Sequence, residues 1–401
     1  VTLLFTDVAV FDGESDSLQD GPVLVRDGRI VAVGPGAEDQ ASGPVETIEG
    51  RGRTLLPGLI DAHFHAYAVS LDMTINEGRP LSYVAHVAAR RLGRALGRGF
   101  TTVRDVAGGD AGLAAAIHEG LFASPRYLYT GAALSQTGGH GDPRSPDLDV
   151  CLCDGHSVEV VDGVDDLRRA VRERFRTGAH AIKVMTSGGV ISLADPLRIP
   201  QYSAEELAVV SEEAARRGSY VAAHAYSPEA IVHSVHNGIR SIEHGNLLDE
   251  ETATLMAQHD AFLVPTLATY AAMDRHGEDL GMPEVSRAKN AEVLDAGQRA
   301  VQIALNAGVR VGFGTDLMGA LETEQLTGLR LQADAVGTFE TLRSATSVNA
   351  DLIGRADLGR ITTGAVADLV LVDGDPLTDI EVLASPEAPR EVWQAGNPLR
   401  R

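Results

Sequence analysis

The chain has 401 residues, 44% of them hydrophobic and 22% charged, with a formal net charge of −22. This is an ordinary globular composition with room for one large and one smaller core, and its acidity argues against nucleic acid and anionic membranes as partners. No apolar run reaches the roughly 18–20 residues that span a bilayer, and the opening Val1–Asp7 lacks the basic start and apolar core of a secretory signal.

Residues 1–56 alternate short β-like runs with turns. Leu3-Leu4-Phe5, Val8–Phe11, Pro22–Val25 and Arg29–Val33 are separated by Asp12-Gly13 and Asp27-Gly28, the punctuation of a small antiparallel sheet. Ala367–Pro376 has the same character, so the C-terminal segment 359–401 is expected to complete that sheet as a β-sandwich built from both chain ends. Between them, residues 57–358 alternate apolar strands with helical stretches such as Asp165–Thr177 and Ala204–Arg217. The strands run Leu55–His65, Thr101–Asp105, to near Leu134, Ala181–Thr186, Tyr220–His224, Ser241–His244, Phe262–Thr266 and Arg310–Asp316. Eight such units imply an α/β fold, a (β/α)8 TIM-like barrel with its active site at the C-terminal strand ends.

Polar residues at those strand ends are few. Side chains two apart on a strand share a face, so His63 and His65 leave the first strand together and can converge on one ion; imidazole suits zinc and its neighbours. Lys183 follows on the fourth strand, His224 on the fifth, His244 on the sixth and Asp316 on the eighth. Any one of the histidines could instead be a core residue bonded to a carbonyl, and Asp316 could cap a helix. Lys183 resists such an account, because Ile182 and Val184 place it inside a buried strand where an unpaired ammonium is costly. A desolvated amine is nucleophilic, and its N-carboxylate would be an anion able to bridge two cations.

His63-Phe64-His65, Lys183, His224, His244 and Asp316 resemble the ligand set of the binuclear metal-dependent amidohydrolase superfamily. Thr137–Gly141, Ile182–Val190, Ala223–Tyr226, Ser241–Asn246 and Gly314–Asp316 are similar to the subgroup of Xaa-Pro dipeptidases and imidazolonepropionase-related hydrolases. The resemblance implies two divalent cations, zinc first among zinc, manganese and cobalt, with His63, His65 and Asp316 on one and His224 and His244 on the other. N-carboxylated Lys183 and a hydroxide would bridge them, the hydroxide attacking an amide carbonyl while Asp316 moves the proton to the leaving nitrogen. His140 and Tyr226 take the subgroup's positions for touching the substrate carbonyl or carboxylate. The implied substrate is a dipeptide of Xaa-Pro type or an N-acyl amino acid. The alternative is a cyclic amide, phenylurea, ochratoxin-like amide or other xenobiotic. A non-catalytic scaffold relative would have lost ligands, and none is missing here. The resemblance also implies a homo-oligomer acting on a small molecule.

Other features carry less. Cys151 and Cys153 are too close in sequence for an unstrained disulfide and read as free thiols of a cytoplasmic protein, rather than a redox pair or a further metal point. His233 and His236 read as an outward helical face, and Gly188-Gly189 and Gly108-Gly109 as flexible loops without nucleotide-binding spacing. His156 and His180 carry no supporting pattern. The segment Ser187–Ser203 is expected above the barrel mouth, where it would shape specificity. Lys183 and Lys289 are the only lysines among 34 cationic side chains.

Overall fold

The computed structural model describes residues 2–144, 155–193 and 195–399; Cys151 and Cys153 lie outside them. The chain opens with β1 (Thr2–Val10), β2 (Gln19–Asp20), β3 (Val23–Arg26), β4 (Arg29–Val33) and β5 (Val45–Pro57). The central strands are β6 (Leu59–Phe64), β7 (Phe100–Asp105), β8 (Arg126–Tyr129), β9 (Ala133–Ser135) and β10 (Val158–Val160). They continue with β11 (Ile182–Met185), β12 (Val221–Ala225), β13 (Ser241–His244), β14 (Phe262–Val264) and β15 (Arg310–Val311). Last come β16 (Leu369–Val372), β17 (Arg390–Gln394) and β18 (Asn397–Pro398).

Both chain ends share one eight-stranded sheet, ordered β18-β17-β16-β5-β1-β3-β4 with β2 beside β1. Phe5 on β1 and Trp393 on β17 are three strands apart, about 14 Å in a flat sheet, yet their rings meet edge to face at 5.0 Å. The sheet therefore folds over itself into two layers around Leu3, Val10, Val25, Leu55, Leu369 and Leu371. It is not wholly antiparallel. The connection through 34–44 returns the chain to the end where β1 began, so β5 runs parallel to β1, from Thr2↔Val45 to Val10↔Leu55.

The expected first barrel strand, Leu55–His65, is two strands. β5 ends at Pro57 in the small sheet, paired with β16, and β6 begins at Leu59 in the barrel. Gly58 makes the switch where a Cβ would fall 2.1 Å from Thr101 Oγ1. The third strand is likewise broken: β8 pairs with β7, whereas β9 pairs with β11. The barrel strands pair in parallel from β6 to β8 and from β9 and β11 through β15. Individual hydrogen bonds join the two groups: His180 N donates to Tyr129 O at 2.7 Å, Ala62 N to Phe313 O at 2.9 Å and Asp316 N to His63 O at 2.8 Å. The result is an α/β, TIM-like barrel.

Helices cover the outside. Val164–Arg176 and Ala204–Ala215 fall where helical spacing placed them, the second opened by a Ser203–Glu206 capping box. Their apolar faces pack Leu167, Val171, Leu207 and Val210 onto Ile182, Val184, Val221 and Ile242 of the strands. Among the described residues, no helix is long and apolar enough to cross a membrane.

Candidate metal centre

Alternation along the strands explains what faces inward. On β11, Ile182 and Val184 join the helix-facing core while Lys183 points to the barrel interior; on β12, Val221, Ala223 and Ala225 do the same and leave His224 inside. On β13 the rule would turn His244 outward, since Ile242 packs on the helices and Ser241 and Glu243 meet Arg104 inside. A left-handed backbone at His244, φ 74°, brings its ring back to the mouth. Asp316 (φ 53°) and Thr266 (φ 45°) share this conformation at the ends of neighbouring strands. Such strain in non-glycine residues is costly and clusters at functional sites.

The structure brings His63, His65, Lys183, His224, His244 and Asp316 to one cavity, with His140 and Tyr226 in its wall. Asp316 Oδ1 lies 2.8 Å from His65 Nε2 and 3.3 Å from His63 Nε2, and Asp316 Oδ2 lies 3.9 Å from His244 Nδ1. Ligand atoms of His63, His244 and Asp316 lie within 4.8 Å of one another, close enough to share an ion. The rings of His63 and His244 are 4.9 Å apart, those of His244 and His224 4.5 Å, and those of His224 and His140 4.1 Å in a stack. Tyr226 donates or accepts a 2.9 Å bond with Tyr270, whose hydroxyl reaches His244 Nδ1 at 2.8 Å.

Electrostatics fit cations. Burial pushes the Asp316 carboxyl up, but His63 and His65 outweigh it and hold it well below the usual range. Burial drives His224 and His244 well below the ordinary histidine value, leaving neutral imidazoles ready to ligate. Among the described residues Lys183 Nζ is buried without a hydrogen-bond partner, and desolvation lowers its pKa to about 8. A carboxylate, neutral imidazoles and an orphaned amine together suit divalent metal ions.

Several supporting residues escaped the sequence reading. Glu243, fully buried, accepts from His63 Nδ1 at 2.7 Å and from Arg104 Nη2 at 2.8 and 3.0 Å. Its signal was available: it shares the inward face of Ser241, one residue before His244. Asp61 accepts from Thr315 N and Oγ1, His63 N and Gln325 Nε2, tying the first strand to the last. Buried Arg91 donates to the carbonyls of Ala68 and Leu317, just past His65 and Asp316. His156, His180, His233 and His236 do not line the cavity.

The Amidohydrolase family pattern matches residues 54–399. An ochratoxinase of Aspergillus niger is 33% identical over 99% of this chain and 86% of its own length. A prolidase crystallised with N-methylphosphonate-L-proline superposes with a TM-score of 0.95 at 42% identity, covering all of both chains. A Xaa-Pro dipeptidase with methionine in its active site gives 0.87 at 29% identity, again over the whole of both chains. The chain belongs to the amidohydrolase family and is a metal-dependent amide hydrolase.

Proposed function

We propose that the protein hydrolyses the amide bond of a dipeptide of Xaa-Pro type or of an N-acyl amino acid. The observation that carries this reading is the convergence of His63, His65, Lys183, His224, His244 and Asp316 on one cavity. His63, His65 and Asp316 would hold one divalent cation, His224 and His244 a second, and N-carboxylated Lys183 would join them; zinc is the first candidate. When bound, the cations supply an acidified water and polarise the carbonyl under attack. Asp316 accepts the proton of the attacking water and returns it to the leaving nitrogen. Tyr226 orients the substrate through its carbonyl or carboxylate, and His140 touches the substrate beside it. The hydrolase unit is assigned to residues 57–358, with 1–56 and 359–401 forming the end sheet.

An ochratoxin-like amide is a second reading. It is favoured by the relationship to ochratoxinase and by the apolar wall, where Met73, Met185, Met273 and Met318, four of the chain's six methionines, line the cavity. Thioether side chains adapt to varied apolar shapes. The test is zinc-loaded protein screened against dipeptides, N-acyl amino acids and aryl amides. Release of an amino acid from the first two classes is the expected result; preferential turnover of aryl amides supports the second reading, and no amide cleavage at all overturns both.

A further inference from the structure

His140 belongs to a closed circuit of hydrogen bonds. Its Nδ1 lies 2.8 Å from Ser192 Oγ. Ser192 Oγ in turn donates to Asp195 Oδ1, with Gly189 O also within 3.1 Å. Asp195 Oδ2 accepts from Gln201 Nε2 at 3.1 Å, and Gln201 Oε1 accepts from the backbone N of His140 at 3.0 Å. Ring and backbone of one histidine are thus held by the same loop. Asp195, Ser192 and His140 are all buried.

Donor accounting fixes the direction of these bonds. A carboxylate and a carbonyl can only accept, so the single proton of Ser192 is committed to Asp195 or Gly189. Ser192 Oγ must then accept from His140, which places a proton on Nδ1. In the neutral ring Nε2 is left bare, and His140 lines the catalytic cavity. Among the described residues no hydrogen bond engages that nitrogen.

The loop is itself pinned. Lys289, on the helix Glu284–Asn306, donates to three of its carbonyls: Gly189 at 3.0 Å, Ser192 at 2.8 Å and Asp195 at 2.7 Å. Three convergent acceptors match the three protons of an ammonium; a planar guanidinium cannot meet them from one point. This explains one of the two lysines in a chain whose other cationic side chains are arginines. Gly189 is packed so closely under the imidazole that a Cβ there would lie 2.0 Å from His140 Cε1.

We propose that Asp195, acting through Ser192, fixes His140 as its Nδ1-protonated tautomer, and that Lys289 holds the loop bearing both against the cavity. Asp195, Ser192 and Lys289 are positioning residues, and they present His140 Nε2 to the substrate as a hydrogen-bond acceptor, which meets an N–H of the substrate and not its carbonyl or carboxylate. Which nitrogen carries the proton follows from hydrogen-bond direction alone; its consequence for turnover rests on the hydrolase reading.

The test is nitrogen NMR of the zinc-loaded, ¹⁵N-histidine-labelled enzyme, with the His140 signals identified by their loss in His140→Asn. The wild type is expected to show a protonated Nδ1 and a bare Nε2. In Ser192→Ala and Lys289→Met the Nε2-protonated form should appear, and kcat/KM on the best amide substrate should fall about tenfold or more through kcat, with zinc content unchanged. An Nε2-protonated His140 in the wild type, or a Ser192→Ala spectrum identical to it, overturns the tautomer assignment. A displaced tautomer with unaltered kcat overturns the role in turnover. A wild type that cleaves no amide but shows the expected tautomer faults the hydrolase reading and supports the assignment.

Discussion

Glu243 Oε2 lies 2.7 Å from His63 Nδ1, so this buried carboxylate decides which nitrogen of a proposed ligand histidine faces the cavity. The same carboxylate is gripped by Arg104, itself fully buried and bonded to Ala62 O at 2.6 Å. The pair connects the ligand on the first strand to the backbone that carries it.

Replacing Glu243 by Gln should therefore have two separable effects. Loss of the carboxylate that orients a ligating histidine, with only a neutral amide oxygen left to accept, typically lowers metal affinity about 10–100-fold, readable by chelator competition. Leaving Arg104 unpaired in the interior should cost about 3–5 kcal/mol of stability, readable by denaturant unfolding of the metal-free protein. Arg104→Met combined with Glu243→Gln should recover part of the stability and none of the metal affinity. Unchanged affinity in Glu243→Gln would contradict the orienting role.

Lys183 Nζ is buried and has no hydrogen-bond partner among the described residues. Lys183→Ala should abolish turnover, and added short carboxylic acids should restore part of it by occupying the space of the N-carboxylate. Lys183→Met should leave the metal-free protein at least as stable as the wild type, because an unpartnered buried amine is replaced by an apolar chain of similar length. Wild-type turnover in Lys183→Ala would exclude the carbamate.

The barrel and the convergence of the candidate ligands on one cavity were legible because they rest on period-two alternation and on polar residues ending apolar strands. The boundary at Gly58 was not, since the apolar run Leu55–Ile60 passes through it without a break and only crowding by Thr101 reveals the switch. His244 was assigned to the site by its position at a strand end. Strict alternation would have sent it outward, and the positive φ that reverses it leaves no mark in composition. Ser192 and Asp195 were illegible for another reason: their loop has no period, and their contact with His140 spans 52 residues.

A pH dependence follows from Glu322, which Arg94 and Arg98 hold on the outer side of the loop after Asp316. Burial raises its pKa, but the two arginines outweigh that and leave it below the ordinary glutamate value. A carboxylate depressed in the folded state stabilises it above the unfolded pKa, and that contribution is lost as pH falls through the folded value. The difference in melting temperature between wild type and Glu322→Gln should be largest near neutrality and shrink below about pH 4.5. A difference independent of pH would show that the ion pairs contribute nothing.

Asp316 is the residue on which the proposed ligation and proton transfer meet. Its Oδ1 is shared between His65 and His63 at 2.8 and 3.3 Å, and its backbone N donates to His63 O at 2.8 Å, so the carboxylate cannot drift from the first strand. Asn preserves this shape but cannot take up a proton. Assayed at saturating metal, Asp316→Asn should lose about 10²–10⁴-fold in kcat, the range of a positioned general acid–base, with KM changed only a few-fold. The split matters: a loss confined to KM would mean that the group binds substrate equally in ground and transition states. A loss reversed by more metal would make Asp316 a ligand alone. Only a deficit in kcat that survives metal saturation identifies the side chain as the carrier of the proton.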